Sequence, residues 1–556
     1  MRTCSIYVTL IAGLWSGVVA AAAPSPATGG TRTLPIPPLD LAALAQPGCS
    51  ARLTRSGDLV ITLRRHIGNT YPVAAVIPKP PETPARFQYV LRFQSRFKPS
   101  VAGRPGRLGL GLCDSRGWTR TIQSAIAVSG AQDARHWENF RGVYTPLPDT
   151  PGVRLVLRIE SGPHQVSGVW KIRDIRVQLR PIKAALSRAQ IQRLQTIVDP
   201  AWQRLHAPKL RRGFNIQSLV RTWSRRRQGG FMPTVEYFRT IRRWGGTVVR
   251  MPFDPAGIAK DWHVNAWKIM PQLLDDTAQA VKNARAAGVK VVLVLANPPL
   301  AKADIAHDST AFWHQPDLTA SFCRLWRAVA KKLKPYDKTI YGYDLYNEPV
   351  NPADSGRPGR WRKIAIRIIE TIRKVDRKVW IIYEPGPWGD PSGFVDLYPL
   401  PFRRVMYSFH FYSPHVFTCQ GIYNTRDTDL RHAMTRIHVN YPGLINGKMW
   451  NKAALARVLG PVKKFQARWG VPIFAGEFSA VAWAPHGSAA RWLADTSSLF
   501  NANHWTWCYL AFRSWPGWNL EDSHHFWRDG MPWPKPVARQ TRRATVIKAA
   551  LRFSSP

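Results

Sequence analysis

The chain has 556 residues, 45% of them hydrophobic and 20% charged, a globular composition that excludes a wholly disordered chain and exceeds what one core usually serves, so two domains are expected. Its 79 Lys and Arg against 34 Asp and Glu give a net charge of +45, an imbalance that raises nucleic acid first. The basic residues are spread over both halves without a nucleic-acid motif, and the one short tract, Arg225-Arg226-Arg227, reads as a solvated helix end. The charge fits better with electrostatic association with an anionic envelope or polysaccharide, or with work in acid.

Met1-Arg2, the apolar run from Ile6 to Val19 and then Ala20-Ala21-Ala22-Ala23-Pro24 have the three parts of a secretory signal over residues 1–23, which predicts a secreted or periplasmic protein. A membrane anchor is the competing reading, but the run is short for a bilayer span and no later segment is long enough. Export would remove Cys4 and leave Cys49, Cys113, Cys323, Cys419 and Cys508. None has metal-ligand spacing, so no zinc site is expected, while Cys49 and Cys113 form a candidate disulfide within the first domain.

Residues 24–48, rich in Pro, Ala, Gly and Thr, predict a loose leader. Over 49–182 short runs alternate inward and outward, as in Asp58–Leu63, Tyr89–Phe93, Val153–Ile159 and Val169–Val177, which predicts an all-β sandwich. Trp118, Trp137 and Trp170 are either core or sugar-stacking residues. A helical linker is expected over 183–208, punctuated by Pro200 and Pro208.

From residue 209 to the end, strand and helix patterns alternate. The strands are placed at Arg212–Ile216, Thr247–Met251, Lys290–Asn297, Ile340–Glu348, Val379–Pro385, Val405–Tyr412, Val471–Glu477 and Trp505–Tyr509, with helical patterns such as Leu273–Ala287, Leu318–Leu333, Trp361–Val375 and Lys452–Trp469 between them. This α/β rhythm predicts a (β/α)8 TIM barrel, a fold that carries its chemistry at the carboxyl ends of the strands. The fourth and seventh strands end at Glu348 and Glu477, and a pair of carboxyls at such ends points to acid and base work.

Taken in order, these segments resemble the cellulase-type glycoside hydrolases of family five, a retaining (β/α)8 clan. Tyr346-Asn347-Glu348-Pro349 is similar to the acid/base motif, and Gly476-Glu477-Phe478-Ser479 to the nucleophile strand. Arg250 after Thr247-Val248-Val249 resembles the second-strand arginine, Ser408-Phe409-His410-Phe411-Tyr412-Ser413-Pro414 the sixth-strand histidine and tyrosine, and Trp505–Tyr509 with Arg513-Ser514-Trp515-Pro516-Gly517-Trp518 the eighth strand and its sugar-stacking tryptophan. In the first domain, Gly168–Ile175 resembles the last strand of jelly-roll carbohydrate-binding modules. Two positions depart from the pattern: Ala296 and Leu510 stand where the family often carries histidine, with Asn297 next to the first of them.

The resemblance implies Glu348 as acid/base and Glu477 as nucleophile, their carboxyls about 5–5.5 Å apart. It implies Arg250 and Tyr412 as partners of Glu477, Asn347 for the sugar 2-hydroxyl, His410 beside the acid, Trp515 under the ring being cleaved and Asn297 in a supporting polar role. A structural ion pair is the other reading of Arg250, and a core histidine that of His410. Glu384, ending the fifth strand, is a rival carboxylate read as a subsite contact or loop anchor. The activity implied is hydrolysis of a β-linked polysaccharide or oligosaccharide without metal or other cofactor, endo-β-1,4-glucanase first, with mannanase, exo-glucosidase and exopolysaccharide hydrolase open. A carbohydrate-binding protein on an inactive barrel is the alternative of another class.

Overall fold

The computed structural model describes residues 31–553 apart from 47, 71, 82, 84–86, 101–106, 115–127, 130–135, 145–150, 182–185, 217–231, 254–261, 297–317, 350–359, 387, 396, 422–438, 446–447 and 523–539. The signal segment, Trp118, Arg225-Arg226-Arg227, Asn297 and most of the loops around the barrel mouth lie outside the described residues. Two large hydrophobic clusters organise the rest, one made of residues up to Leu179 and one beginning at Leu194.

The first is built by antiparallel strands: β1 Arg32–Leu34, β2 Cys49–Leu53, β3 Leu59–Thr70, β4 Val73–Pro78, β5 Phe87–Pro99, β6 Arg107–Asp114, β7 Val128–Ser129, β8 Glu138–Tyr144 and β9 Gly152–Pro181. Two of the predicted short strands, Val153–Ile159 and Val169–Val177, lie within the single 30-residue β9. Its first half pairs with β4 and β6, its second half with β5 and β1, and β3 pairs along its middle from Ile159 to Ile172, so one strand joins all five. Between the layers lie the inward apolar side chains of these strands, among them Ile61, Leu91, Leu110, Leu157 and Trp170.

Two expectations change here, and one open reading is decided for Trp170. The leader is partly structured: Leu34 and Leu44 are buried in the sandwich core, Asp40 caps the short helix Leu41–Leu44, and the Asp40 backbone N–H donates to Ala74 O at 2.8 Å. Cys49 is a free, buried thiol that donates to Leu44 O, so it forms no disulfide with Cys113. Trp170 is core, whereas Trp137 is half-buried against arginine side chains.

The segment expected as a linker belongs to the barrel. Its helices, Arg188–Val198 with a Ser187/Gln190 capping box and Pro200–His206, bury Leu194 and Val198 in the larger cluster. Pro200 packs on Gly470, just before a barrel strand begins, and Arg403 pairs with Asp199 at 2.9 Å, so the helices close the amino-terminal end of the barrel.

The barrel is a closed ring of parallel strands in the order β10 Arg212–Asn215, β11 Val248–Phe253, β12 Lys290–Leu295, β13 Ile340–Asp344, β14 Ile381–Tyr383, β15 Val405–Phe411, β18 Ile473–Phe478 and β19 Thr506–Tyr509, with β19 returning to β10. A small hairpin, β16 Gly443–Ile445 with β17 Lys448–Trp450, stands apart between the sixth and seventh strands of the ring. Helices wrap the outside. Leu318–Leu333 is typical, presenting Leu318, Phe322, Leu325, Trp326, Val329 and Leu333 on one buried stripe.

Inside the ring, Val248, Val292, Ile382, Met406, Phe474 and Cys508 form one apolar layer. Side chains two residues on point inward again, one layer higher. Those positions include the polar Arg250, Glu384 and Ser408, with Val294 and Gly476 beside them. The strand periodicity thus stacks a polar layer on an apolar floor. Two strands are shorter than predicted at this level: β13 stops at Asp344 and β14 at Tyr383, because the chain turns to carry Glu348 and Glu384 into that layer.

If the helix Arg188–Val198 is part of the barrel, Leu194→Ala should destabilise the barrel transition by about 2–4 kcal/mol in urea unfolding. A change below about 0.5 kcal/mol is what a detached linker would give.

Candidate active site

Arg250, contributed by β11 and 1% exposed, uses all five of its N–H groups. Nε donates to Asp344 Oδ2 at 2.8 Å. Nη1 donates to Glu477 Oε1 at 2.6 Å and to Asn215 Oδ1 at 3.2 Å, and Nη2 to Asn347 Oδ1 at 2.9 Å and Glu384 Oε1 at 2.8 Å. Asn215 is fixed in turn by donating to the carbonyls of Gly476 and Cys508. One guanidinium therefore registers five strands, β10, β11, β13, β14 and β18, against each other.

Glu348 follows β13 with φ of 49°, left-handed backbone that a glutamate rarely adopts and that costs on the order of 1–3 kcal/mol. Its backbone N–H donates to Glu384 Oε2 at 2.8 Å, which holds that conformation. Its side chain meets His410, whose Nδ1 lies 2.8 Å from Glu348 Oε1. The other ring nitrogen, Nε2, lies 3.2 Å from Glu384 Oε1, at ion-pair distance but off the hydrogen-bond line. Gly476 leaves room for this ring: a Cβ there would come within 3.0 Å of His410 Nε2. Tyr412 donates to Glu477 Oε2 at 2.8 Å, so each oxygen of Glu477 has a donor.

Burial and charge pull these groups apart in proton affinity. Burial lifts Glu348 above the usual carboxylate range, and His410 offsets this only in part. Asp344 is lifted well above it, by burial first and then by the Glu384 charge, against the pull of Arg250. Glu384 goes the other way: burial pushes it up, but His410, Arg250 and the Glu348 N–H together bring it down. Burial pushes His410 down, yet the charges of Glu384 and Glu477 and the contacts with Glu348 and Glu384 hold it well above an ordinary histidine.

Beyond Tyr412 an aromatic wall begins. The Tyr412 and Trp518 ring centroids are 6.2 Å apart, Trp518 and Trp515 4.9 Å, and Trp515 and Trp483 5.6 Å. Gly517 makes the fold of this loop possible, since a Cβ there would lie 1.8 Å from the Trp515 ring. The backbone N–H of Ala482 donates to Gly517 O at 2.7 Å and ties the loops after β18 and β19 together.

The structure thus brings Glu348, Glu477, Arg250, Asn347, His410 and Tyr412 into one cluster and puts Trp515 further along the wall. Of the two readings of Glu384, the structure supports the anchor: it is 0% exposed, accepts the backbone N–H of Glu348 in the turn after β13, and braces Arg250 from below. Asp344, Asn215 and Trp483 join the site without being expected from the sequence. A carboxylate and an amide inside otherwise apolar strands are the available signals for the first two. Glu348, His410 and Glu477 each offer a ligand atom within 4.8 Å of the others. The donors are already engaged, however, and Arg250 supplies the positive charge a cation would bring.

Two close carboxyl groups, Glu348 lifted above the usual carboxylate range by burial and Glu477 held by Arg250 and Tyr412, set at the mouth of a (β/α)8 barrel beside an aromatic wall, make this protein a glycoside hydrolase. The model of the family described as Cellulase (glycosyl hydrolase family 5) matches residues 209–514, and the chain belongs to that family. Endoglucanase C of Acetivibrio thermocellus is 25% identical over 281 residues, 48% of this chain and 80% of the relative. Cellodextrinase A of Ruminococcus flavefaciens is 22% identical over 280 residues, 50% of this chain and 78% of the relative. Among solved structures, Thermotoga maritima Cel5A in complex with cellobiose aligns at a TM-score of 0.48 with 21% identity, covering 63% of this chain and 99% of that one.

Because native His410 keeps a proton that the unfolded chain releases near pH 6.5, stability should fall as pH rises above about that value, by up to ~1.4 kcal/mol per unit. Glu348 and Asp344, which also hold protons longer in the native state, act in the same direction from about pH 4 upward. Urea unfolding across this range should show the decline, and His410→Gln should flatten its upper part.

Proposed function

We propose that the protein is a secreted, retaining endo-β-1,4-glucanase that cleaves β-linked glucan by double displacement. The observation that carries the mechanism is the separation of the two carboxyls: an oxygen of Glu348 lies within 4.8 Å of an oxygen of Glu477. Retaining enzymes place their carboxyls about 5–5.5 Å apart, whereas inverting enzymes need roughly 6.5–9.5 Å to admit a water.

In this reading Glu348 is the acid/base and Glu477 the nucleophile. A Glu477 oxygen attacks the anomeric carbon while the bond to the leaving oxygen breaks and that oxygen takes the Glu348 proton. Water then enters, gives a proton to Glu348, and its oxygen displaces Glu477 from the sugar. Burial of Glu348 favours the protonated form needed for the first half. Arg250 and Tyr412 hold the two oxygens of Glu477 and leave its carboxylate little freedom to rotate.

Asn347 gives its carbonyl oxygen to Arg250, which turns its amide NH2 outward to donate to the sugar 2-hydroxyl. His410 tunes Glu348, Glu384 positions both, and Trp515 offers a flat face to a sugar ring. The endoglucanase relatives support β-1,4-glucan as the substrate, and the amino-terminal sequence supports export. Among the described residues, no helix is long and apolar enough to cross a membrane.

Incubation with 2-deoxy-2-fluoro cellobiosyl, glucosyl and mannosyl donors, followed by mass spectrometry of the peptides, should place one sugar on Glu477 and show which sugar is taken. Glu348→Gln should lower turnover of polymeric substrate by about 10²–10⁴-fold. A label on another residue, or hydrolysis with inversion at the anomeric carbon, would overturn the double-displacement reading.

A further inference from the structure

The inward side of β5 is Phe87, Tyr89, Leu91, Phe93 and Phe97, all in the sandwich core. The outward side is Arg92, Gln94, Arg96 and Lys98. The register places Arg92 directly between Arg141 of β8 and Arg176 of β9, all three exposed. Like charges facing each other across strands destabilise a sheet, by roughly 0.2–1 kcal/mol a pair. Among the described residues neither Arg92 nor Arg176 has a carboxylate partner.

The next row is different in kind but joined to the first. Arg173 Nε donates to Gln94 Oε1 at 2.8 Å, and Gln94 Nε2 donates to Asn139 Oδ1 at 2.9 Å, a hydrogen-bonded line across three strands. The third row pairs Arg96 with Lys171. Trp137, just before β8, is held at this face by two guanidiniums, with Arg173 4.0 Å and Arg96 4.8 Å from its ring centroid. Asp174, in the left-handed bulge of β9, lies 3.9 Å from Arg173 Nε and is a weak counter-charge.

We propose that the outward face of β8, β5 and β9 is a binding surface for an acidic polysaccharide, whose carboxylate or sulfate groups pair with the rows of Arg92, Arg176, Arg96 and Lys171. Charge complementarity names the sign of the ligand, and the layout names its class. Strands lie about 4.8 Å apart, near the length of one sugar residue, so successive charges of such a polymer meet successive strands. The amides of Gln94 and Asn139 between the charges suit sugar hydroxyls. Single-stranded nucleic acid would call for open aromatic faces on which bases stack, whereas the Trp137 ring is occupied by arginines. Such binding rests on this face alone, whichever glycan the barrel cleaves.

The test uses the full chain and polyuronate as probe, with hydroxyethyl cellulose and single-stranded DNA as comparisons, in affinity electrophoresis between about 50 and 200 mM salt. Wild type should bind polyuronate more tightly than either comparison, and binding should weaken with salt. Arg92→Gln combined with Arg176→Gln should reduce it by about tenfold or more while leaving hydrolysis of a soluble aryl glycoside unchanged. The melting temperature of that variant should hold or rise, because the repulsion across the strands is relieved. Arg96→Gln with Lys171→Gln should act in the same way. Equal or tighter binding to DNA, preference for the neutral glucan, no binding to polyuronate, or unchanged affinity in both double variants would each overturn the proposal.

Discussion

The barrel depends on a buried guanidinium. Arg250 has five N–H groups and five acceptors drawn from Asp344, Glu477, Asn215, Asn347 and Glu384. Taking a cation and several carboxyls out of water is unfavourable unless every donor and acceptor is answered, and a half-satisfied network is worse than an apolar core. The apolar floor below, Val248, Ile382, Met406 and Phe474, gives no alternative partners. The arrangement is therefore close to all or nothing, and it fixes the heights of the strands that bear the reacting groups.

That constraint explains why Glu384 matters without facing the mouth. It accepts from Arg250 with one oxygen and from the Glu348 backbone with the other, and its charge keeps His410 protonated. The left-handed backbone at Glu348 aims its carboxyl across the barrel at Glu477 rather than along the strand. Strain at Glu348, a cation beside Glu477 and a protonated imidazole between them are parts of one electrostatic unit.

Much of this is legible in the sequence because parallel barrel strands are nearly continuous apolar runs, so Arg250 stands out as a charge within one and Glu348 and Glu477 as carboxyls at the ends of two others. Asp344 and Glu384 are harder to read. Their partner Arg250 is 94 and 134 residues away from them, on a strand whose height relative to theirs only the closed ring sets. The helices over 188–206 look like a linker in sequence because Leu194 and Val198 find their partners in a core that lies further along the chain. The leader misleads for a different reason: its Pro and Ala content hides Leu34 and Leu44, which complete the sandwich. Trp483 gives no sign of joining Trp515, since their loops follow different strands.

The long β9 also sets an order in time. It is the last strand of the sandwich in the chain, yet β1, β3, β4, β5 and β6 all pair with it, so none of those layers can close until residue 181 has been made. Pairings this distant in sequence form slowly, because loop closure precedes the contacts that reward it. During synthesis the amino-terminal domain stays open for as long as its keystone strand is missing. A chain that must pass through a narrow pore before folding would benefit from that delay.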